Sequence, residues 1–132
     1  MLTRKDVFSI GETLIGTVTD NPFEGDFDTT VFRHGDSGKW YALLMRVPFR
    51  KVGIDKDGET DVLNLKCDPV VSYGIKATYA AVIPAYHMNK YHWISIILET
   101  GVPIDVLQVL MGMSYDLTKP KKVRKKVLQI RP

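Results

Sequence analysis

Two runs of alternating apolar residues, Val82–His87 and His92–Leu98, flank Asn89-Lys90, and they restrict the fold more than any other segment. Alternation with a period of two places every second side chain on one side of an extended strand, and asparagine tolerates the positive φ of a tight turn. A two-residue connection sets His87 opposite His92, Tyr86 opposite Trp93, Ala85 opposite Ile94 and Ile83 opposite Ile96. Ile83, Ala85, Ile94, Ile96 and Leu98 then share one apolar face. After Gly101, Pro103 suits the first helical position. Val106, Val109, Leu110 and Met113 repeat at helical spacing toward an end near Thr118. Pro84–Thr118 therefore reads as a strand, turn, strand and helix.

Upstream, Thr3 and Asp6 form a capping box, with Leu2 and Val7 placed as its hydrophobic staple. Val7, Ile10, Leu14 and Val18 follow at helical spacing, which predicts a helix over about 4–19, stopped by Asn21-Pro22. Thr29–His34 and Lys39–Val47 are rich in β-forming residues and flank Gly35-Asp36-Ser37-Gly38, a hairpin connection that sets His34 against Lys39 and Arg33 against Trp40. Strict alternation then gives a core face of Phe32, Tyr41, Leu43, Met45 and Val47. The other face carries Arg33, Trp40, Leu44 and Arg46.

Asp61–Cys67 is a third strand with Leu63, Leu65 and Cys67 on one side, and Asp68-Pro69 opens a short helix to about Tyr79. Asp55-Lys56-Asp57-Gly58 has its glycine too early for a calcium loop and reads as a turn. The expected class is α+β. An antiparallel sheet of about five strands is covered on one side by helices, in the order α-β-β-β-α-β-β-α. Residues 1–118 form one domain, and 119–132 are a basic extension. Val123, Val127 and Ile130 give that extension helical spacing.

The 132 residues are 45% hydrophobic and 25% charged, enough to bury a core without disulfide or metal staples. One cysteine, no apolar leader and no membrane-length apolar run suggest a soluble, cytoplasmic bacterial protein, taken here as a monomer with no membrane contact. The net charge of +3 conceals an asymmetry. Seven of the 18 Lys and Arg lie in 119–132, where no acid occurs, so positions 1–118 hold 11 basic and 15 acidic residues, a net of −4. Local positive potential of that kind attracts nucleic acid or an acidic protein partner.

Chemistry-bearing constellations are sparse. His87 and His92, if opposed, supply two metal ligands where zinc takes three or four, so no metal or other cofactor is expected. Cys67 lies on an inner strand face, away from any histidine with an orienting acid, and no glycine-rich phosphate loop occurs. No enzyme is expected. An enzyme using His87 or His92 as general base would require a pocket beside the hairpin.

Three segments, Asn64-Leu65-Lys66-Cys67-Asp68-Pro69, Pro84-Ala85-Tyr86-His87-Met88-Asn89-Lys90-Tyr91-His92-Trp93-Ile94 and Met113-Ser114-Tyr115-Asp116-Leu117, occur in that order. They resemble the MmcQ/YjbR family, as do Val31-Phe32-Arg33-His34 and Lys39-Trp40-Tyr41-Ala42. The resemblance implies a frataxin-like (CyaY-like) arrangement and carries a DNA-binding label, with protruding hairpins as wings, but supplies no catalytic residues. His87, His92, Trp93, Ser114 and Tyr115 are then structural motif residues. Candidate nucleic-acid contacts are Arg33, Trp40 and Arg46 on the sheet and Asn89 and Lys90 at the turn. Lys121, Lys122, Arg124, Lys125 and Lys126 supply the rest from the extension. Such contacts reach phosphate rather than base edges, giving weak, salt-sensitive binding. The alternative is a regulatory protein-interaction domain whose basic extension meets an acidic partner.

Overall fold

A computed structural model describes residues 1–120. Among these residues three α-helices, α1 (Arg4–Thr13), α2 (Pro69–Thr78) and α3 (Ile104–Leu117), accompany six strands. These are β1 (Thr17–Asp20), β2 (Thr30–His34), β3 (Trp40–Pro48), β4 (Glu59–Lys66), β5 (Val82–Pro84) and β6 (Trp93–Ile97). The strands form one antiparallel sheet in the order β1-β2-β3-β4-β6-β5. The α+β class and its helix-covered sheet therefore hold, with one strand more than expected.

The extra strand is β1. The expected helix over 4–19 ends at Thr13, because the chain turns at Gly16 with φ of 77°. The β-branched Thr17, Val18 and Thr19 then pair with His34, Arg33 and Phe32. Val18, expected on the core stripe of that helix, is half exposed on this edge strand. The capping box is present, with Asp6 accepting from the Thr3 amide at 2.8 Å. Leu2 and Val7 are both buried beside it.

Two register corrections reassign the faces of the sheet. Arg33 pairs with Trp40 as expected, but Phe32 pairs with Ala42, leaving Tyr41 as an extra residue. This bulge shifts the alternation of β3 by one. Tyr41, Ala42 and Leu44 pack with Phe32 on the helix side, while Leu43, Met45 and Val47 join Val31, Val62 and Ile97 on the opposite side. At the other end of the sheet the pairs are Val82 with Ile96, Ile83 with Ser95 and Pro84 with Ile94, one residue from the two-residue hairpin register. A slip of one exchanges faces. Val82 joins Ile94, Ile96 and Leu98 in the helix-side core, and Ile83 goes to the other cluster.

The helix-side core is set by α3. Leu107, Leu110 and Met111 are its buried apolar contacts, and Val106 and Met113 pack at the margin. Val109, expected on the same stripe, is exposed. Pro103 is the residue before the helix rather than its first position. Helix α2 begins as its sequence directs, with the Asp68 carboxylate accepting from the Val70 amide at 2.9 Å. Cys67 is buried, and that burial raises its thiol pKa above the usual range.

Ser114 joins the layers. Its hydroxyl donates to the Tyr41 carbonyl and accepts from the Lys66 amide at 2.8 Å. It thereby joins β3 to β4 just beyond their last ladder pair, Ala42 with Leu65. Replacing Ser114 with alanine leaves a donor and an acceptor without this partner inside the protein. The expected loss is about 1–3 kcal/mol, read in urea unfolding as a lower midpoint with an unchanged m-value.

Candidate functional site

The sheet face away from α1, α2 and α3 carries a second apolar cluster, with no α-helix over it among the described residues. A 3-10 turn at Phe49–Val52, the loop 21–29 and the segment 85–88 partly cover it. Between them lies a pocket of about 470 Å³. Trp40, Leu43, Met45 and Val47 contribute the sheet side, Phe23 one wall and Tyr86–Met88 the other. The Phe23 ring meets Trp40 edge-on at 6.0 Å.

Both walls are held by polar side chains. Asn64 and Ser95, fully buried, face each other across β4 and β6. The Ser95 hydroxyl donates to the Asn64 side-chain oxygen and accepts from the Tyr86 amide at 2.8 Å. The Asn64 amide nitrogen donates to the Tyr86 carbonyl at 2.7 Å. Both backbone groups of Tyr86 are thus satisfied by side chains, not by a neighbouring strand. In the opposite wall, Asn21 donates to the Thr29 carbonyl at 2.7 Å, and Asp26 accepts from the Thr29 hydroxyl at 2.6 Å. The bond from Thr29 keeps the Asp26 carboxyl below its ordinary pKa.

The expected hairpin tip is a longer connection. The ladder ends at Pro84 with Ile94, and His87 turns the chain at φ of 60°. His87 and His92 are therefore not cross-strand partners. The His87 ring lies tilted against Tyr86, centroids 3.9 Å apart, and lines the pocket, whereas the His92 ring meets Tyr91 edge-on at 4.8 Å. Asn89 organises the turn, accepting from the amides of Tyr91 and His92 at 2.9 and 3.0 Å, while its carbonyl accepts from the Trp93 amide. Lys90 donates to the Ala85 carbonyl at 2.9 Å.

The basic and aromatic surface expected from strict alternation is divided. Arg33 makes a two-pronged ion pair with Asp20, both contacts at 3.0 Å, and lies 5.6 Å from the Trp40 ring centroid. Arg46 turns to Asp61 at 3.3 Å, a carboxylate it shares with Arg4 of α1. Arg33, Arg46 and Lys90 thus already have partners within the protein. Lys121, Lys122, Arg124, Lys125 and Lys126, with the helix expected there, lie outside the described residues.

The root of the basic extension is well defined. His34, 4% exposed, is bonded to the Thr118 hydroxyl at 2.8 Å and packs against Tyr115 with ring centroids 4.6 Å apart. Tyr115 donates to the Ile15 carbonyl, and Lys119 lies over its ring at 5.0 Å. Ser114 and Tyr115, two of the expected structural motif residues, thus sit where α3 meets the sheet and the start of β1. Sequence reasoning did not single out Asn64 and Ser95. Their signal was present: Asn64 lies between Leu63 and Leu65, and Ser95 between Ile94 and Ile96, each a polar residue flanked by apolar neighbours.

An α+β sheet with helices on one face and a walled apolar pocket on the other defines the class. Residues 12–117 match the YjbR family, and the chain belongs to it. It is 42% identical over 119 residues to the uncharacterized protein YyaQ of Bacillus subtilis, spanning 90% of this chain and all of that one. It is 32% identical over 114 residues to the uncharacterized protein YbdF of Escherichia coli O157:H7, covering 84% of this chain and 80% of that one. A Pseudomonas syringae crystal structure superposes with a TM-score of 0.83 at 36% identity, covering 89% of this chain and all of that one. For a Deinococcus radiodurans protein the TM-score is 0.72 at 29% identity, over 99% of this chain and 91% of that one.

Burial lowers the His34 pKa below its ordinary 6.5, so the native state holds this ring neutral. The unfolded chain takes up the proton first as pH falls, so the stabilisation is complete above about pH 6.5 and is lost as pH drops through the depressed native value. Urea unfolding at pH 7.5 and 5 should show this loss. His34→Gln should lack that component of the pH slope.

Proposed function

We propose that this YjbR-family protein is a non-enzymatic binding domain that contacts DNA weakly, through phosphates, using its basic C-terminal extension. The observation that carries the reading is the charge distribution: seven Lys and Arg with no acid in 119–132, against a net of −4 in the rest of the chain. Phosphate neutralisation releases counterions, so such a segment binds without reading sequence.

The paired charges refine this proposal. Because Arg33 and Arg46 have carboxylate partners and Lys90 is engaged by Ala85, the sheet and the 85–92 turn supply secondary contacts, with Trp40 and Asn89 beside them. The frataxin-like comparison, with hairpins as DNA-contacting wings, is the part of the reading that those pairs weaken. The same pairs favour a second reading, a regulatory domain whose extension meets an acidic protein. The spacing of His87 and His92 and the burial of Cys67 support binding over catalysis.

Titrating labelled duplex DNA at several salt concentrations, with the full chain and with a chain ending at Thr118, tests this. Affinity should fall steeply with salt, and truncation should flatten the slope, since each phosphate contact contributes about −0.9 to it. No binding at low salt overturns the proposal. Unchanged affinity and slope after truncation overturn the role given to the extension. Stoichiometric recovery of a protein partner without nucleic acid would favour the second reading.

A further inference from the structure

The pocket on the face away from α1, α2 and α3 shares Trp40 and Arg46 with the secondary contacts of the DNA reading, but its construction points to a ligand of its own. Its sheet side is apolar and its rim aromatic, formed by Leu43, Met45 and Val47 with Trp40 and Phe23. The wall opposite Phe23 has an energetic cost. It places a buried asparagine and serine inside the sheet and turns the chain at a non-glycine residue, His87, with φ of 60°. Conformations of that kind are costly and persist only where the surroundings enforce them. Here they hold Tyr86 and Met88 over the sheet while leaving the space in front of Trp40 open.

The charge around the cavity selects among occupants. Two charged side chains line it, Asp26 and Arg46. The Asp26 carboxylate is taken up by the Thr29 hydroxyl and by the amides of Asp28 and Thr29. The Arg46 guanidinium is taken up by Asp61 and the Glu59 carbonyl. A charged ligand would therefore be desolvated without a free counter-charge, which is unfavourable. His87, whose ring lies tilted against Tyr86 and has no hydrogen-bond partner among the described residues, offers one polar contact. Thioether and aromatic walls suit the faces and edges of flat rings. The volume, about 470 Å³, is in the range that encloses one small molecule.

We infer that this pocket is a binding site for a small, uncharged, planar aromatic molecule, seated between Trp40, Phe23 and Met88 with a polar group toward His87. The inference stands independently of DNA binding.

Methionine methyl NMR on the full chain, titrated with 2-naphthol, tests it directly. Met45 and Met88 line the pocket, whereas Met111 and Met113 belong to the helix-side core. Saturable shifts should occur at Met45 and Met88 and be absent at Met111 and Met113. Naphthalene-2-sulfonate should bind about tenfold more weakly because its charge must be desolvated. Met45→Trp fills the cavity and should abolish the response. Met88→Lys, at a half-exposed wall position, gives the same test at Met45 should the first variant not fold. Absence of saturable shifts, an equal response from Met111, tighter sulfonate binding, or undiminished binding by folded Met88→Lys would each overturn the inference. So would Met45 and Met88 shifts on simple dilution accompanied by dimer formation in sedimentation, which would make the face an interface between copies.

Discussion

The Ser114 hydroxyl is the contact on which the layers depend. It bonds to Tyr41 on one strand and Lys66 on the next, at the point where the β3–β4 ladder stops. A helix that packed only through Leu107, Leu110 and Met111 could slide along an apolar surface, because dispersion and burial are non-directional. The hydroxyl supplies the missing direction. It registers α3 against the bulge at Tyr41, and the bulge decides which side chains of β3 face the helices. The same registration brings Tyr115 against His34 and Thr118 beside it, so the root of the basic extension is placed by the packing that organises the core.

The opposite face follows a different rule. There the covering segments are loops, and loops provide little apolar area, so their positions are fixed by side chains that satisfy backbone groups. Asn64 and Ser95 do this for Tyr86, and Asn21 and Asp26 for the loop that carries Phe23. Polar anchoring of this kind keeps two walls apart. Apolar anchoring would have drawn them together over Trp40.

Much of the architecture was legible in the sequence. The capping box at Thr3, the Asp68 cap, the Arg33–Trp40 pairing and the helix after Pro103 depend on local chemistry, which sequence displays directly. What escaped was long-range. Thr17–Asp20 has the spacing of a helix continuation, and only pairing with β2 makes it a strand. The bulge at Tyr41 and the displaced β5–β6 register each amount to one residue, below what alternation resolves. Those single-residue shifts explain the altered site. Arg33 and Arg46 were grouped by strict alternation, and the cavity beside Trp40 depends on a turn at His87; histidine adopts positive φ more often than most residues, but too seldom for that preference to place the turn.

The two margins of the sheet differ in a way that bears on how copies of this chain behave when crowded. Strand β5 has three residues and ends in Pro84, which has no amide hydrogen to offer a neighbour. On the far side, β1 is four residues long, and its last, Asp20, is held by Arg33. Short borders that end in a proline or a charge resist the strand addition by which sheets grow into aggregates. A chain whose second sheet face exposes a hydrophobic cavity is thereby protected along its borders, and the cavity can stay open without making the protein prone to stacking edge to edge.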